Sequence, residues 1–254
     1  MSEIISTIKE VVELPSKGLI YDRPIQSQIK LRSMTTQDEM VRLMPSDDKF
    51  KVLSDLIDGC IEGDKPEISV YDMCMGDYYA LLHALRTVTY GSNYEMIAYC
   101  IYCQQSFETS VNLDEVPSNS WDDSILDRMS VTLPSSGKRV DLYYQTPRMA
   151  DDIARRVRQI QKQNPNTSTD VEEMIQKIVY SIKAVDGRKV NLVELEAMVR
   201  KMKMADINTL NQKIDVLNES LGPMKILKLD CPHCHNETLS LFRYSSEFFR
   251  PTVY

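Results

Sequence analysis

Two pairs of cysteines, each with the spacing Cys-x-x-Cys, are the residues of this sequence whose types and spacing could do chemistry. The first pair is Cys100 and Cys103, and the second is Cys231 and Cys234. One metal ion can take both sulfurs of such a pair, and a closed structural zinc site needs four ligands. No cysteine follows Cys234, so the remaining ligands must lie upstream. The sequence therefore predicts one structural Zn²⁺ bound by Cys100, Cys103, Cys231 and Cys234.

Two other interpretations of these cysteines stay open, namely two separate thiol pairs and a redox pair of the thioredoxin type. A redox pair opens a helix after a strand, whereas Thr, Ser, Val and Phe, which are poor helix formers, follow these pairs. The glycine that commonly follows the second cysteine of a zinc turn is replaced by Gln104 and His235. His233, between the cysteines of the second pair, is expected to point outward rather than to bind the metal.

The segments around each pair predict the elements that position the sulfurs. Strand-like residues enter and leave both pairs, at 96–99 and 106–113 and again at 224–230 and 237–242. Two hairpins that hold one ion make a zinc ribbon. The pairs are separated by 127 residues (104–230), far more than the usual ~15–20. The metal is therefore predicted to join distant parts of the chain.

The same order of motifs precedes each cysteine pair. A Leu-Pro-Ser-x-Gly turn at Glu13–Gly18 recurs at Thr132–Gly137, with Pro fixing φ and Gly supplying positive φ. A strand-like segment and helical patterns follow each time. We therefore predict an α+β fold of two structurally related halves, each with a strand and turn, helices and a zinc-knuckle hairpin, joined by a shared zinc-ribbon-like site of four cysteines. The halves are 1–116 and 117–254, with a helical insertion at 148–221.

Helical periodicity predicts the elements between these motifs. In the first half we expect helices at 47–62 and at 77–91, the second ending near Gly91. In the second half we expect helices at 146–163, 192–203 and 206–221. Thr169 and Glu172 are predicted to form a capping box that starts a further helix at 170–185. The apolar stripe at 207, 210, 214, 217 and 221 predicts core packing, with docking to a partner as the alternative.

The composition excludes several functional classes. The 254 residues are 43% hydrophobic and 26% charged, as in an ordinary globular protein. No apolar run approaches a membrane span, and the N-terminus lacks the layout of a secretory signal. A cytosolic protein is expected, in which Cys60 and Cys74 are buried thiols rather than disulfide partners. The net charge of −7 argues against a protein that grips a nucleic-acid backbone.

The sequence carries no catalytic signature, so the chain is predicted not to be an enzyme. Two of its three histidines lie in the second cysteine turn, and it has no Gly-rich phosphate loop, nucleophile elbow or His-x-x-x-His. His83 is expected to be a core histidine. The basic run at 155–162 is expected to be a solvated helix face. The alternative function is a zinc-ribbon regulatory or nucleic-acid-binding module that uses this face.

An aromatic segment closes the sequence, with Phe242, Tyr244, Phe248, Phe249 and Tyr254 in its last thirteen residues. Leaving so many aromatic rings in water is costly, and aromatic residues with arginine are typical of interface anchors. The segment is expected either to close the sheet of the second cysteine hairpin or to insert into a neighbouring subunit. The candidate partner-binding residues are Phe242, Tyr244, Phe248, Phe249 and Arg250.

Four stretches of the sequence resemble a family of contractile-tail phage proteins. They are "LPSKGLIY", "LRTVTYGSNYE" running into the first cysteine pair, the second Leu-Pro-Ser-x-Gly, and "CPHC…EFFRP". The family comprises the baseplate hub subunits and hub assembly proteins of T4-like myoviruses. The likeness spans nearly the whole chain, although the helices between 148 and 221 contribute little to it.

The resemblance implies a non-enzymatic structural or assembly protein of the tail baseplate hub. Its partners would be other hub and tail proteins, with self-association left open and with no membrane or nucleic-acid partner. It would be a late protein of the virion tail baseplate, assembled in the cytoplasm of the infected bacterium.

Overall fold

The computed structural model describes residues 9–242, 244 and 246–249, without the side chains of Lys9, Ser246 and Glu247. The described chain is a mixed α+β protein with eight α-helices and several small antiparallel sheets. The helices are α1 (Thr36–Arg42), α2 (Lys49–Cys60), α3 (Met75–Tyr90), α4 (Ile125–Arg128), α5 (Pro147–Gln163), α6 (Thr169–Ser181), α7 (Leu192–Val199) and α8 (Met204–Glu219). The strands are β1 (Lys9–Glu13), β2 (Gln28–Arg32), β3 (Ile61–Glu62), β4 (Asn93–Tyr99), β5 (Ser106–Asn112), β6 (Ser118–Asn119), β7 (Ser130–Thr132), β8 (Arg139–Leu142), β9 (Ile182–Val185), β10 (Gly222–Pro223), β11 (Ile226–Asp230) and β12 (Glu237–Leu241).

The N-terminal part of the chain builds a three-stranded antiparallel sheet in the order β1–β2–β3. The first Leu-Pro-Ser-x-Gly turn follows β1. Its Gly18 has a φ of +73°, and a Cβ there would meet the Ile25 carbonyl oxygen at 2.2 Å, so the turn requires glycine. Helices α1 and α2 connect β2 to β3, and α3 follows the sheet. Helix α3 ends at Gly91, which has a φ of +86°, as the sequence predicted.

A second three-stranded antiparallel sheet has the order β7–β8–β9. The second Leu-Pro-Ser-x-Gly turn joins β7 to β8, helices α5 and α6 connect β8 to β9, and α7 and α8 follow. Thr146 caps α5 through a hydrogen bond from the Met149 backbone N–H, and Pro147 stands at the first position of the helix, where proline is well tolerated. The two sheets therefore share their strand order and the placement of the helices that connect them.

The predicted capping box at the start of α6 is wrong. Ser168, not Thr169, is the N-cap residue, and it makes no side-chain cap bond. Glu172 is buried and accepts two hydrogen bonds from the Arg200 guanidinium, at 2.9 and 2.6 Å. A bidentate pair of this kind is stronger than a neutral cap bond, so the carboxylate turns to Arg200. The helix expected at 47–62 also ends early, because Ile61 begins β3.

Two hydrophobic cores lie against the two sheets. The first core includes side chains of the first sheet, α2 and α3, and the second includes side chains of the second sheet and α6–α8. The hairpin β11–β12 and the residues after it contribute Leu227, Phe242, Phe248 and Phe249 to the first core. The C-terminal end of the chain therefore packs with N-terminal elements. The domain boundary at 116/117 stays a prediction.

The apolar stripe of α8 belongs to the second core. Its members Ile207, Leu210, Ile214, Leu217 and Leu221 are all buried. Burial of the whole stripe confirms core packing, so the stripe itself is not available to a partner.

Cys60 and Cys74 are free, buried thiols, as expected. Burial raises the pKa of the Cys60 thiol to about 11, which keeps it protonated and unreactive. Cys74 stands at the N-cap of α3, where its Sγ accepts the backbone N–H of Asp77 at 3.4 Å.

Helix α5 and helix α2 connect the two parts of the chain through a buried carboxylate. Asp151 of α5 accepts the backbone N–H groups of Phe50 and Lys51 at 3.3 and 2.9 Å. These N–H groups lie in the first turn of α2, where they have no partner within the helix. Nearby, the Arg148 guanidinium donates to both oxygens of Asp72, at 2.5 and 2.8 Å.

A close backbone approach makes a second connection between the two parts. A Cβ on Gly76, in the first turn of α3, would lie 2.7 Å from the Leu221 carbonyl oxygen. A Cβ on Gly222 would lie 2.5 Å from the Gly76 Cα. Only glycine allows two backbones to pass this closely, so the two glycines position α3 against the segment that follows α8.

The aromatic segment after β12 packs on α3. Phe242, Phe248 and Phe249 are buried, and the rings of Tyr244 and Tyr79 stack with centroids 4.3 Å apart. The segment is therefore buried within the same chain, but it packs on α3 in the first core rather than simply closing the sheet of the second cysteine hairpin. Contact of these aromatic residues with a partner stays a prediction.

His83 is a core histidine, as expected. Its Nε2 lies 2.6 Å from the Tyr244 hydroxyl, and burial lowers its pKa to about 4, so it is neutral at neutral pH. Arg250 and Tyr254, the other members predicted in this segment, lie outside the described residues.

Candidate metal centre

The two cysteine pairs lie at the turns of two antiparallel hairpins, as the sequence predicted. Strands β4 and β5 pair from Asn93 opposite Asn112 to Tyr99 opposite Ser106. Strands β11 and β12 pair from Ile226 opposite Leu241 to Asp230 opposite Glu237. Each pair of cysteines therefore lies immediately beyond the last paired residues of its hairpin.

The two turns have the same backbone geometry. In the first, the Cys100 N–H donates to the Gln105 carbonyl at 2.9 Å and the Gln104 N–H donates back to the Cys100 carbonyl at 2.9 Å. In the second, the Cys231 N–H donates to the Asn236 carbonyl at 3.1 Å and the His235 N–H to the Cys231 carbonyl at 2.9 Å.

The residue after the second cysteine of each pair is left-handed, with φ of +59° at Gln104 and +57° at His235. Glycine is the residue that adopts this conformation without steric cost. The missing glycines therefore do not change the turn, although they add strain to it.

The turns bring the four sulfurs together. The Sγ atoms of Cys100, Cys103, Cys231 and Cys234 all lie within 4.8 Å of one another. Two distances that cross between the hairpins, from Cys100 to Cys234 and from Cys103 to Cys231, are each 3.6 Å. Four sulfurs at ~2.3 Å from a tetrahedral zinc are about 3.8 Å apart, whereas a disulfide needs about 2.05 Å. The cluster therefore fits a zinc ion, and all four cysteines are free thiols.

A small apolar cluster surrounds the sulfurs. Cys100 and Cys231 are buried, Ala98 and Phe107 of the first hairpin are buried beside them, and Leu229 of the second packs against the cluster. Cys103 and Cys234 are half-buried. A closed site of this kind, with four protein ligands and a dry inner side, is typical of a structural metal rather than a catalytic one.

Backbone N–H groups aim at the first sulfur. Hydrogen bonds from the Cys103 N–H, and to a smaller extent from the Tyr102 N–H, lower the pKa of the Cys100 thiol to about 6. Burial raises the pKa of its neighbour Cys103. In the second turn the Asn236 side-chain amide donates to the Cys234 sulfur at 3.5 Å. Such donors stabilise the thiolates that a metal requires.

The geometry decides between the interpretations that the sequence left open. Two separate thiol pairs are contradicted, because the pairs share one cluster. A redox pair at a helix start is not present at either position, since both pairs lie between strands. His233 is exposed and the cluster found among the described residues consists of the four cysteines, in agreement with the outward orientation expected for this histidine.

Two buried aspartates that position the elements escaped the sequence analysis. Asp77 accepts the Ser16 backbone N–H at 2.9 Å in the first Leu-Pro-Ser-x-Gly turn, and Asp206 accepts the Ser135 backbone N–H at 2.7 Å in the second. Both stand at the third position of a helix, in α3 and α8. The signal was present as Met-x-Asp at Met75–Asp77 and Met204–Asp206.

None of the helices that the structure describes is long and apolar enough to cross a membrane.

The fold and the site together define a mixed α+β protein with two cysteine hairpins that meet in a closed cluster of the metal-binding type. No curated protein and no solved structure shows significant similarity to the chain.

A family model described as "T4 bacteriophage base plate protein" matches residues 6–250, nearly the whole chain. The chain therefore belongs to the family of T4 bacteriophage base plate proteins. Membership confirms the resemblance seen in the sequence and indicates a phage baseplate protein, with other tail and baseplate proteins as its partners.

Proposed function

We propose that this chain is a non-enzymatic structural or assembly protein of the baseplate hub, which acts through protein–protein contacts. Family membership over residues 6–250 supports a role in the baseplate. The observation that carries the structural role is the convergence of four sulfurs from two distant hairpins within 4.8 Å. A closed metal site holds the surfaces of the protein in a fixed relative orientation, and a structural component of an assembly needs such an orientation. It acts in the virion tail baseplate after assembly in the host cytoplasm.

Zinc is the metal that the site would hold, through Cys100, Cys103, Cys231 and Cys234. When bound, it supplies cross-linking free energy rather than reactivity, because all four positions are taken by protein sulfur. The residues of the chain position and shield the metal ligands. The hairpin backbones place the sulfurs, and Phe107 and Leu229 pack on the inner side of the cluster.

The chain is best described as two related halves that share this centre. The repeated elements support this relation: a Leu-Pro-Ser-x-Gly turn, a three-stranded antiparallel sheet with two connecting helices, a helix with a buried aspartate at its third position, and a cysteine hairpin. The contacts of Asp151 and of Gly76 with Gly222 fix the halves independently of the metal.

Four buried ionisable groups support a non-enzymatic role because each forms hydrogen bonds within the chain. His83 is paired with Tyr244. Asp77 and Asp206 hold the two turns, and Asp151 caps α2. An acid–base catalyst must reach its substrate at hydrogen-bond distance, and each of these groups serves the packing of the chain instead.

The alternative of a nucleic-acid-binding module loses support at the helix that was to carry it. Arg156 pairs with Glu196 at 2.9 Å, and Arg155 pairs with Asp152 and lies 3.6 Å from Asp48. Two of the four basic residues of this face are therefore paired with carboxylates, which reduces the number of counterions that binding of a phosphate backbone would release. We therefore do not propose this function.

Complementation tests the proposed function. A phage that lacks this chain is supplied with the wild type, with Cys100→Ser/Cys231→Ser, or with the control Cys60→Ala, which changes a buried cysteine outside the cluster. Tails seen by electron microscopy are expected with the wild type and the control and absent with the double variant. Normal tails without any copy of the chain would refute the baseplate role, and normal tails with the zinc-free double variant would refute the role of the metal.

A further inference from the structure

The first cysteine hairpin carries an exposed apolar surface at its tip, which we call the knuckle patch. It consists of Ile97, Tyr99, Ile101 and Tyr102, with side chains 70%, 52%, 60% and 60% exposed. Ile97 and Tyr99 point away from the core because alternate residues of β4 face opposite sides, and the intervening Ala98 is buried. Four large, exposed apolar side chains therefore lie within six residues at one end of the hairpin, and clusters of exposed apolar residues mark interaction sites.

Carboxylates border the knuckle patch. Glu108 lies directly opposite Ile97 across the β4–β5 ladder, and Glu95 lies two residues before Ile97 on the same face of β4. Both glutamates are exposed. Between residues 87 and 127 the sequence has seven Asp and Glu and no Lys or Arg. The patch is therefore apolar at its centre and purely acidic at the rim that the hairpin itself supplies.

The second cysteine hairpin has the same turn backbone and also exposes apolar side chains, Ile226, Leu239 and Leu241 on the outer face of β11 and β12, but its tip is different. Pro232 and His233 stand at its tip in place of Ile101 and Tyr102, and Lys228 on its outer face pairs with Glu237 at 3.2 Å. The metal cluster requires the turn, but it does not require isoleucine and tyrosine at the tip. The apolar side chains of the first tip therefore have no explanation in the fold or the metal site.

We propose that the knuckle patch is a docking site for a protein partner that presents an apolar socket bordered by Lys and Arg. Charge complementarity selects this occupant, because Glu95 and Glu108 need cations opposite them when the rim approaches a partner. A second copy of this acidic chain, with a net charge of −7, would bring like charges together. A nucleic acid would bring phosphates against carboxylates.

The geometry of the patch also suits a binding anchor. Tyrosine is enriched among the residues that dominate interface energies, since it combines a large apolar ring with a polar end. The patch stands on a hairpin whose turn is tied by two backbone hydrogen bonds and by the cysteine cluster. Little conformational freedom is lost when such a surface binds. That the partner is another baseplate protein rests on the proposed function.

Site-specific photo-crosslinking in infected cells tests the docking site. The photoreactive residue p-benzoylphenylalanine is placed at Tyr102, and at Val193 of α7 as a control position that is equally apolar and 79% exposed. We expect Tyr102 to give one heterologous product, with the crosslinked peptide, identified by mass spectrometry, next to Lys or Arg. A crosslink to a second copy of the chain, a crosslink to nucleic acid, or the same products from Val193 would overturn the proposal.

Reversal of the charges at the rim tests whether the two glutamates contribute to binding of the partner. Glu95→Lys/Glu108→Lys is expected to reduce the yield of the crosslink about tenfold, corresponding to about 1.4 kcal/mol of binding free energy. The zinc content must be unchanged, which shows that the hairpin is intact. An unchanged yield would rule out the acidic rim as a determinant.

Removal of the apolar centre separates this proposal from the proposed function. The variant Ile97→Ser/Tyr102→Ser is expected to keep its zinc and to fail in complementation, whereas Leu192→Ser/Val193→Ser on α7 is expected to complement. Normal tails with the first variant would reject the docking site and leave the baseplate function standing. Normal tails without the chain would reject the baseplate function itself.

Discussion

Asp77 holds the first Leu-Pro-Ser-x-Gly turn, and Asp206 holds the second, but the two carboxylates have unequal numbers of donors. Both accept a serine backbone N–H. Asp77 also accepts the Ser16 hydroxyl and, at 2.6 Å, the Tyr21 hydroxyl. The shared bond closes the same type of turn beside each of the two three-stranded sheets. Among the described residues the additional donors occur only at the first turn, beside α3, whose N-cap residue Cys74 is a member of the second core.

The helices that carry these aspartates also differ in how closely their first turns approach the rest of the chain. Gly76 precedes Asp77, and Ala205 precedes Asp206. Ala205 is exposed, whereas a Cβ on Gly76 would meet the Leu221 carbonyl oxygen. The first turn of α3 passes close to the backbone that follows α8, whereas Ala205 in the first turn of α8 is exposed. The difference teaches that the shared features recur beside both sheets, and that the deviations mark where the elements of one sheet contact those of the other.

Substitution of the two aspartates is expected to give the largest difference in stability between the two turns. We expect Asp77→Ala to lower the free energy of unfolding by about 3 kcal/mol or more, because three donors, two of them buried, lose their acceptor. Asp206→Ala is expected to lower it by about 1 kcal/mol. Urea unfolding of the metal-loaded protein measures both values. Equal losses at the two positions would contradict the view that the first turn carries the larger network.

The close approach of α3 to the segment that follows α8 gives the next largest effect. Gly76→Ala is expected to destabilise the chain by about 2 kcal/mol, because the added methyl group must displace backbone. Gly59→Ala is the matched control, since Gly59 is also in a helix and nothing lies within 4 Å of a Cβ there. This control should gain up to about 1 kcal/mol of stability. A thermal unfolding scan that ranks the two variants in the opposite order would show that the glycine contact is not tight.

The smallest predicted effect on stability tests whether the two cysteine turns have the same backbone geometry. Gln104→Gly and His235→Gly should each raise the free energy of unfolding by about 1 kcal/mol or slightly less, because glycine adopts a positive φ without strain. The gain should be similar in both turns, since their φ values differ by only two degrees (59 and 57). Gln105→Gly is the control and should not stabilise the protein. A gain in one turn alone would show that the turns are not equivalent.

Local patterns in the sequence predicted a large part of this structure. The cysteine spacing predicted both hairpins and their convergence, because few arrangements satisfy four thiolates. Gly91 predicted the end of α3, since a positive φ at that position is a property of the residue itself. The apolar stripe from Ile207 to Leu221 predicted the buried face of α8.

The features that escaped prediction depend on partners distant in sequence. Glu172 has the spacing of a capping box with Thr169, but its partner is Arg200, twenty-eight residues away. Asp77 has an ordinary position in a first helical turn, and its burial depends on a turn sixty-one residues earlier. The aromatic segment after β12 was equally compatible with its own core and with a neighbour, because ring count does not specify which surface covers the rings.

The most direct test of one shared metal centre is the metal content of the purified chain and of two single variants, Cys100→Ser and Cys231→Ser, by plasma mass spectrometry. Each variant removes one sulfur from a different hairpin. We expect one zinc per chain in the wild type, near-complete loss in both variants, and one zinc in the control Cys60→Ala. Two ions per wild-type chain, or full zinc retention after the loss of a cysteine from either hairpin, would contradict a single site formed by both.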